Sequence, residues 1–177
     1  RRGRVFASKM AAAGIGGLVV GLLGLGLTAL LTWATSAAFG NPTGFGDGEV
    51  VRIIGQLVRA VIVVTMLGLV GAAAAFVVRH SAAVAGLALA YLVGIEGILI
   101  YAISWLPRWT LSVNMYAFIV GRNSYSIREC LPAADGAMSC TSRQAWLVWP
   151  EATVYLFALL AALIAAGWLV YRRRDVN

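Results

Sequence analysis

Four long apolar runs occupy most of the 177 residues, at about 11–39, 51–78, 82–104 and 150–171. A helix of about 20 apolar residues crosses a bilayer core about 30 Å thick, and each run reaches that length. A soluble domain of this size does not require four such segments. The pattern predicts an all-α, polytopic membrane helix bundle, in which residues 1–177 form one transmembrane domain with four spans and an external loop at 105–149.

The charge of the chain does not indicate a nucleic-acid partner. The sequence is 61% hydrophobic and 12% charged, and its net charge is +7. Its cations gather at the ends of the apolar runs, which is how charges that set membrane topology are placed. Composition and charge placement therefore indicate a lipid bilayer as the surroundings, with no nucleic acid.

The positions of lysine and arginine predict the orientation. With four spans and the N-terminus inside, eight lie on the cytoplasmic side: Arg1, Arg2, Arg4, Lys9, Arg79, Arg172, Arg173 and Arg174. The other side holds five, namely Arg52, Arg108, Arg122, Arg128 and Arg143. This asymmetry predicts that both termini are cytoplasmic. Richness in Gly, Ala and Arg is typical of a GC-rich bacterial genome, so we expect a bacterial cytoplasmic membrane.

The first run contains a face of small residues. Gly14, Gly17, Gly21 and Gly24 recur at helical spacing, and Gly17 with Gly21 forms a GxxxG pair. In lipid, such residues let neighbouring helices approach closely. The face predicts a helix–helix or subunit contact, although a membrane helix that merely tolerates glycine fits the spacing equally well.

Two charged residues lie inside apolar runs. Arg59 is eight residues from the outer end of the second run, and Glu96 is eight residues from that of the third. At 1.5 Å per residue both would lie about 12 Å deep in adjacent antiparallel helices. A charge at that depth costs about 2.5–3.5 kcal/mol, so the two are expected to face the bundle interior and pair. The pair would be a clamp that fixes helix register or, alternatively, part of a transport pathway.

The loop at 105–149 contains both cysteines, Cys130 and Cys140. An oxidising exterior would allow a disulfide between them, which would tie a hairpin. Before them, Leu111, Met115, Phe118 and Ile119 recur at helical spacing and predict a short helix that is either interfacial or re-entrant. A re-entrant helix would form an outer gate.

The sequence does not contain the residues of an enzyme active site. The single histidine, His80, lies in a charged turn, and one histidine cannot complete a Ser-His-Asp constellation. The single lysine, Lys9, excludes a Gly-x-x-x-x-Gly-Lys phosphate loop. We therefore expect no enzymatic activity and no cofactor in this chain, and any ATP and Mg²⁺ would be bound by a partner.

The order of the motifs resembles a known family. The chain opens with Arg1-Arg2-Gly3-Arg4-Val5-Phe6-Ala7-Ser8-Lys9 and continues through the Gly-rich run, the Arg59 helix, the Arg79-His80-Ser81 turn and Glu96. It closes with Trp149-Pro150-Glu151 through Arg172-Arg173-Arg174-Asp175-Val176. This arrangement is similar to the permease subunits of type-2 exporters of the ATP-binding-cassette class. Such permeases usually have six spans, so the chain looks like their C-terminal four.

The resemblance implies a half-transporter. Two permease subunits, alike or different, would dimerise and dock on cytoplasmic ATP-binding-cassette ATPase subunits, and the loop after the third run would form the outer gate. The alternative is a non-transporting structural or assembly subunit of a larger membrane complex. The sequence does not identify a substrate.

Overall fold

The computed structural model describes residues 2–39, 47–78, 81–99, 103, 105–132 and 138–173. The fold divides into two compact units, one formed by Arg1–Arg79 with Leu160–Asn177 and the other by His80–Leu159. The first unit contains helix α1 (Arg2–Phe39), helix α2 (Asp47–Val78) and the second half of the last helix, α5 (Trp149–Arg173). The second unit contains everything between α2 and the middle of α5.

Among the described residues, three helices are long and apolar enough to cross a membrane: Gly3–Ala38 of α1, Gly48–Val78 of α2 and Trp149–Arg173 of α5. They match the first, second and fourth predicted spans. In the third predicted span, helix α3 (Ser81–Ala90) continues directly as a π-helix over Tyr91–Leu99. The apolar helical segment in this region, Ala82–Ile98, is shorter than the other three helices, so a fourth span stays a prediction.

Helices α1 and α2 approach each other through glycine. A Cβ placed on Gly17 would lie 3.0 Å from Cα of Thr65, and one on Gly21 would lie 3.2 Å from Cγ1 of Val61. Real Cβ atoms rarely come that close to other atoms, so any larger residue at Gly17 would have to push the α2 backbone away. These two glycines therefore set the distance between the helices.

The outer members of the glycine face have looser surroundings. A Cβ on Gly14 would lie 3.4 Å from Cδ2 of Leu69, an ordinary contact distance. A Cβ on Gly24 would meet no atom of the described chain within 4 Å. Within this chain, the close α1–α2 contact thus involves the middle of the predicted face and ends before Gly24.

An aromatic cluster joins the start of α1 to the ends of α2 and α5. The Phe6 ring lies 4.7 Å from Phe76, 5.2 Å from Trp168 and 5.9 Å from Tyr171, measured between centroids. The Lys9 ammonium lies 5.8 Å from the centre of the Phe76 ring. Phe6 is 8% exposed, because rings from two other helices surround it. This packing explains why α1 includes Phe6, which lies before the apolar run.

The second unit corrects the all-α prediction. After a 3₁₀ turn at Leu106–Trp109 and helix α4 (Leu111–Val120), strands β1 (Arg122–Pro132) and β2 (Met138–Val148) form an antiparallel hairpin. Gly121 ends α4 in a left-handed conformation with φ 102°, which suits glycine because it lacks a Cβ. The loop was expected to hold a short helix and a hairpin around the cysteines, and the structure shows a helix and a hairpin whose two arms are β-strands.

Candidate functional site

Side chains from the π-helix hold the N-terminus of α4. The Tyr91 hydroxyl accepts a hydrogen bond from the backbone N–H of Leu111 at 3.1 Å, and Oε1 of Glu96 accepts one from that of Ser112 at 2.9 Å. The first N–H groups of a helix have no partner within it, and a carboxylate there also interacts favourably with the helix dipole. Glu96 therefore acts as a cap for α4.

The predicted pairing of Glu96 with Arg59 stays a prediction. The two residues belong to different compact units, and both side chains are partly buried. What the structure adds is a partner for Glu96 inside its own unit. Within the second unit, this carboxylate therefore acts as a clamp, because it holds the start of α4 beside the π-helix.

Asn114 completes the turn before α4. Its side chain is 1% exposed, and Nδ2 donates to the carbonyl of Arg108 at 2.9 Å and to that of Thr110 at 2.8 Å. The Thr110 hydroxyl donates to the carbonyl of Pro107 at 2.8 Å. These side-chain bonds add to the backbone bonds that the carbonyls of Pro107 and Thr110 accept from the N–H groups of Thr110 and Asn114, and together they hold the turn before α4.

The start of α5 is fastened to the same turn. The Tyr155 hydroxyl donates to the carbonyl of Trp109 at 2.6 Å, and the two rings lie 6.1 Å apart between centroids. Nη2 of Arg108 lies 3.3 Å from Oε2 of Glu151, and both side chains are about half exposed, at 54% and 50%. An ion pair this exposed contributes under about 1 kcal/mol to stability, so its two groups can contact a ligand at little cost to the fold.

These groups line a cleft of about 430 Å³. Its walls come from the turn before α4, from α4 itself, from β2 and from the first turns of α5, and its lining residues are Arg108, Trp109, Asn114, Leu147, Glu151, Val154, Tyr155 and Ala158. That volume falls within the range of small-molecule sites, about 300–1,000 Å³. The cleft combines an apolar surface with a few polar groups, as binding sites for organic ligands do.

The predicted gate residues form the helix that was expected. Phe118 is buried at 6% exposure, whereas Leu111, Met115 and Ile119 are partly buried. The buried side of α4 also includes Asn114 and Ala117 and packs against the hairpin, where Nδ2 of Asn123 donates to the carbonyl of Val113. A gate role for this helix, and its insertion into the membrane, stay predictions.

The hairpin places the two cysteines opposite each other. In the strand register Cys130 pairs directly with Cys140. Nearer the base of the hairpin, the Arg122 guanidinium lies 5.4 Å from the centre of the Trp146 ring. The base itself is closed by a bond from the backbone N–H of Trp149 to the carbonyl of Gly121 at 3.0 Å.

The cleft was not predicted from the sequence, although a signal for it exists. Glu151, Tyr155 and Ala158 recur at helical spacing and share one face of the first turns of α5. Asn114 is a polar residue in the apolar stretch from Leu111 to Ile119. A polar residue on the buried face of a helix indicates a hydrogen-bonding task.

The described residues contain no group of three His, Cys, Asp or Glu side chains that could hold a metal ion. Comparison with known proteins found no matching family model, no matching curated protein and no matching solved structure.

Proposed function

We propose that the chain is a transmembrane permease subunit of an ATP-driven exporter. In this proposal four spans place both termini in the cytoplasm of a bacterial cell, and two permease subunits work with separate ATPase subunits. ATP and Mg²⁺ bind to the ATPase, because the sequence of this chain lacks a phosphate loop. The substrate moves outward, between or along helices that face the dimer axis.

The observation that carries the proposal is the exposed apolar surface of the long helices. On α1, Ile15 is 63% exposed, Leu23 69% and Trp33 69%. Such a surface requires lipid or another membrane subunit against it. The hydroxyls of this helix bond to its own backbone, as Thr28 does to the carbonyl of Gly24 at 2.8 Å. A hydroxyl satisfied in this way is compatible with a lipid-facing position.

The outer-gate part of the proposal is supported by the contacts of α4. Glu96 and Tyr91 hold its N-terminus, and the hairpin packs along it. In this proposal the helix opens and closes as one body, and the hairpin of the same unit lies outside the membrane.

A disulfide between Cys130 and Cys140 belongs to the same proposal. Directly opposed residues in an antiparallel pair have Cα atoms about 4.5–5.5 Å apart, within the range that a disulfide spans. We expect alkylation without reductant to label neither cysteine and alkylation after reduction to add two labels per chain, read by mass. Two labels without reductant would contradict the disulfide.

The pairing of Arg59 with Glu96 is tested by charge exchange. Either single reversal, Arg59→Glu or Glu96→Arg, should impair folding or transport, and the double exchange should restore part of the loss. A loss in the double variant equal to the sum of the single losses would show that the two charges do not interact.

The exporter proposal is tested by identifying what accompanies the protein. The full-length form would carry an affinity tag and be isolated from gently solubilised membranes, with an unrelated four-span protein bearing the same tag as control. We expect a stoichiometric ATP-binding-cassette ATPase that is absent from the control, and ATP hydrolysis by the complex. Recovery of other membrane proteins without an ATPase would contradict the proposal and favour a structural or assembly subunit.

A further inference from the structure

The cleft of the second unit holds opposite charges at one place. Nη2 of Arg108 and Oε2 of Glu151 make a single contact at 3.3 Å. That contact uses one of the five donors of the guanidinium and one of the two carboxylate oxygens, so both groups have capacity left. Because each side chain is about half exposed, a ligand can reach both.

The ion pair selects for a ligand that carries two charges. An anion that bound Arg108 alone would compete with Glu151 and leave that carboxylate without its partner, and a cation bound to Glu151 alone would do the same to Arg108. A head with one positive and one negative group replaces the internal contact on both sides. Both groups then form charge-assisted hydrogen bonds to the ligand, whereas a ligand with one charge can form them to only one of the two.

The remaining walls suit an ammonium group and an apolar chain. The rings of Trp109 and Tyr155, 6.1 Å apart, present aromatic surface beside Glu151, and a cation is attracted to such faces. Leu147 is buried to 2% exposure and Val154 is 71% exposed, so together they give apolar surface from inside the cleft to its outside. A chain attached to the head would cover that surface.

Asn114 gives one wall of the cleft a fixed position. It lines the cleft and is 1% exposed, and its Nδ2 donates to the carbonyls of Arg108 and Thr110. These bonds tie α4 to the turn that carries Arg108.

We propose that this cleft binds an amphiphile with a zwitterionic head, of which a phosphoethanolamine head on acyl chains is the simplest example. The anionic group contacts Arg108, the ammonium group contacts Glu151 and the two aromatic rings, and a chain lies against Leu147 and Val154. The proposal goes beyond export, because binding requires neither ATP nor a second subunit.

The test measures binding by calorimetry with the full chain purified in a non-ionic detergent. The probes are dihexanoyl phosphatidylethanolamine, dihexanoyl phosphatidic acid as the anion, a dihexanoyl trimethylammonium-propane lipid as the cation, and phosphoethanolamine as the head without chains. We expect the zwitterionic lipid to bind at least about tenfold more tightly than each of the other three. Equal affinities for the three lipids, or no binding of the zwitterionic lipid, would overturn the proposal. Equally tight binding of the free head would overturn the amphiphile assignment.

Two charge-removing variants and a matched control make the test specific. Glu151→Gln should weaken the zwitterionic lipid about tenfold and tighten the anionic one, because Arg108 is then free. Arg108→Gln should weaken the zwitterionic lipid and tighten the cationic one. The control Arg143→Gln removes an exposed charge of β2 outside the cleft and should change each affinity less than about twofold. A uniform loss for all lipids in both cleft variants, without the change in preference, would overturn the proposal.

Discussion

In the first unit hydroxyl groups bond to the helix that carries them, whereas in the second unit several side chains of one element bond to the backbone of another. Thr32 and Thr35 of α1 donate to carbonyls one turn earlier in the same helix. In the second unit Glu96 of the π-helix accepts from α4, and Tyr155 of α5 donates to the turn before α4. The first pattern suits long helices in lipid, and the second suits irregular backbone.

The two units also differ in what brings their elements together. In the first unit the helices are held together by close contacts at glycines and by a cluster of aromatic rings, so its stability depends on how closely these surfaces fit. Polar side chains at helix ends hold the second, so its stability depends on hydrogen bonds. Irregular backbone requires polar side chains as hydrogen-bond partners. Groups able to bind a polar ligand are therefore found in the second unit, where the backbone is irregular.

The largest expected effect comes from the aromatic cluster of the first unit. Phe6→Ala removes a ring that is 8% exposed and contacts Phe76, Trp168 and Tyr171. We expect the free energy of unfolding in detergent to fall by about 3 kcal/mol. The control Phe157→Ala removes a ring that is 50% exposed and should cost under about 1 kcal/mol. Equal losses in both variants would show that the stability of the first unit does not depend on the close packing around Phe6.

A smaller effect is expected at the α1–α2 contact. Gly17→Val places a side chain 3.0 Å from the Thr65 backbone, so the helices must separate, at a cost of about 2 kcal/mol. Gly24→Val introduces the same residue where no described atom lies within 4 Å. The difference between the two unfolding free energies isolates the contact, since intrinsic helix preferences cancel. A difference near zero would show that Gly17 does not set the helix spacing.

The smallest effect is expected in the second unit, from the loss of the Asn114 side chain. Asn114→Ala takes one donor from each of the Arg108 and Thr110 carbonyls, and we expect local destabilisation of about 1–2 kcal/mol. Hydrogen exchange of the α4 amides would become faster, while exchange in α1 would be unchanged. Ser112→Ala, an exposed position of the same helix, is the control. Exchange in the control as fast as in Asn114→Ala, or faster, would contradict the role of Asn114 in holding the turn before α4.

The long helices could be predicted from the sequence, because length and apolarity alone are enough to identify a span. The apolar run does not show that the helix also includes Phe6, since the contacts of Phe6 depend on α2 and α5, which are far away in the chain. A hairpin around the cysteines was expected but its strands were not, because the sequence from Arg122 is mostly polar and its apolar alternation is limited to Tyr125 and Ile127.

The residues of the second unit show where prediction stops. Glu96 was identified as costly in a membrane, but its partner at Ser112 depends on the turn that the 3₁₀ segment makes. A π-helix over Tyr91–Leu99 leaves no clear mark in the sequence, although it decides which side chains face α4. The cleft forms where two stretches of the chain, 108–114 and 147–158, come together, and no apolar pattern within either stretch predicts that contact.

The central claim is that this chain spans a membrane with its hairpin outside and both termini inside. The most direct measurement is labelling by a membrane-impermeant maleimide in sealed cells, with Cys130→Ser and Cys140→Ser as background. Ser126→Cys on the exposed hairpin should react in intact cells, whereas Ser8→Cys near the start of α1 should react only after the membrane is opened. Labelling of both positions in intact cells, or of Ser8→Cys alone, would contradict the account.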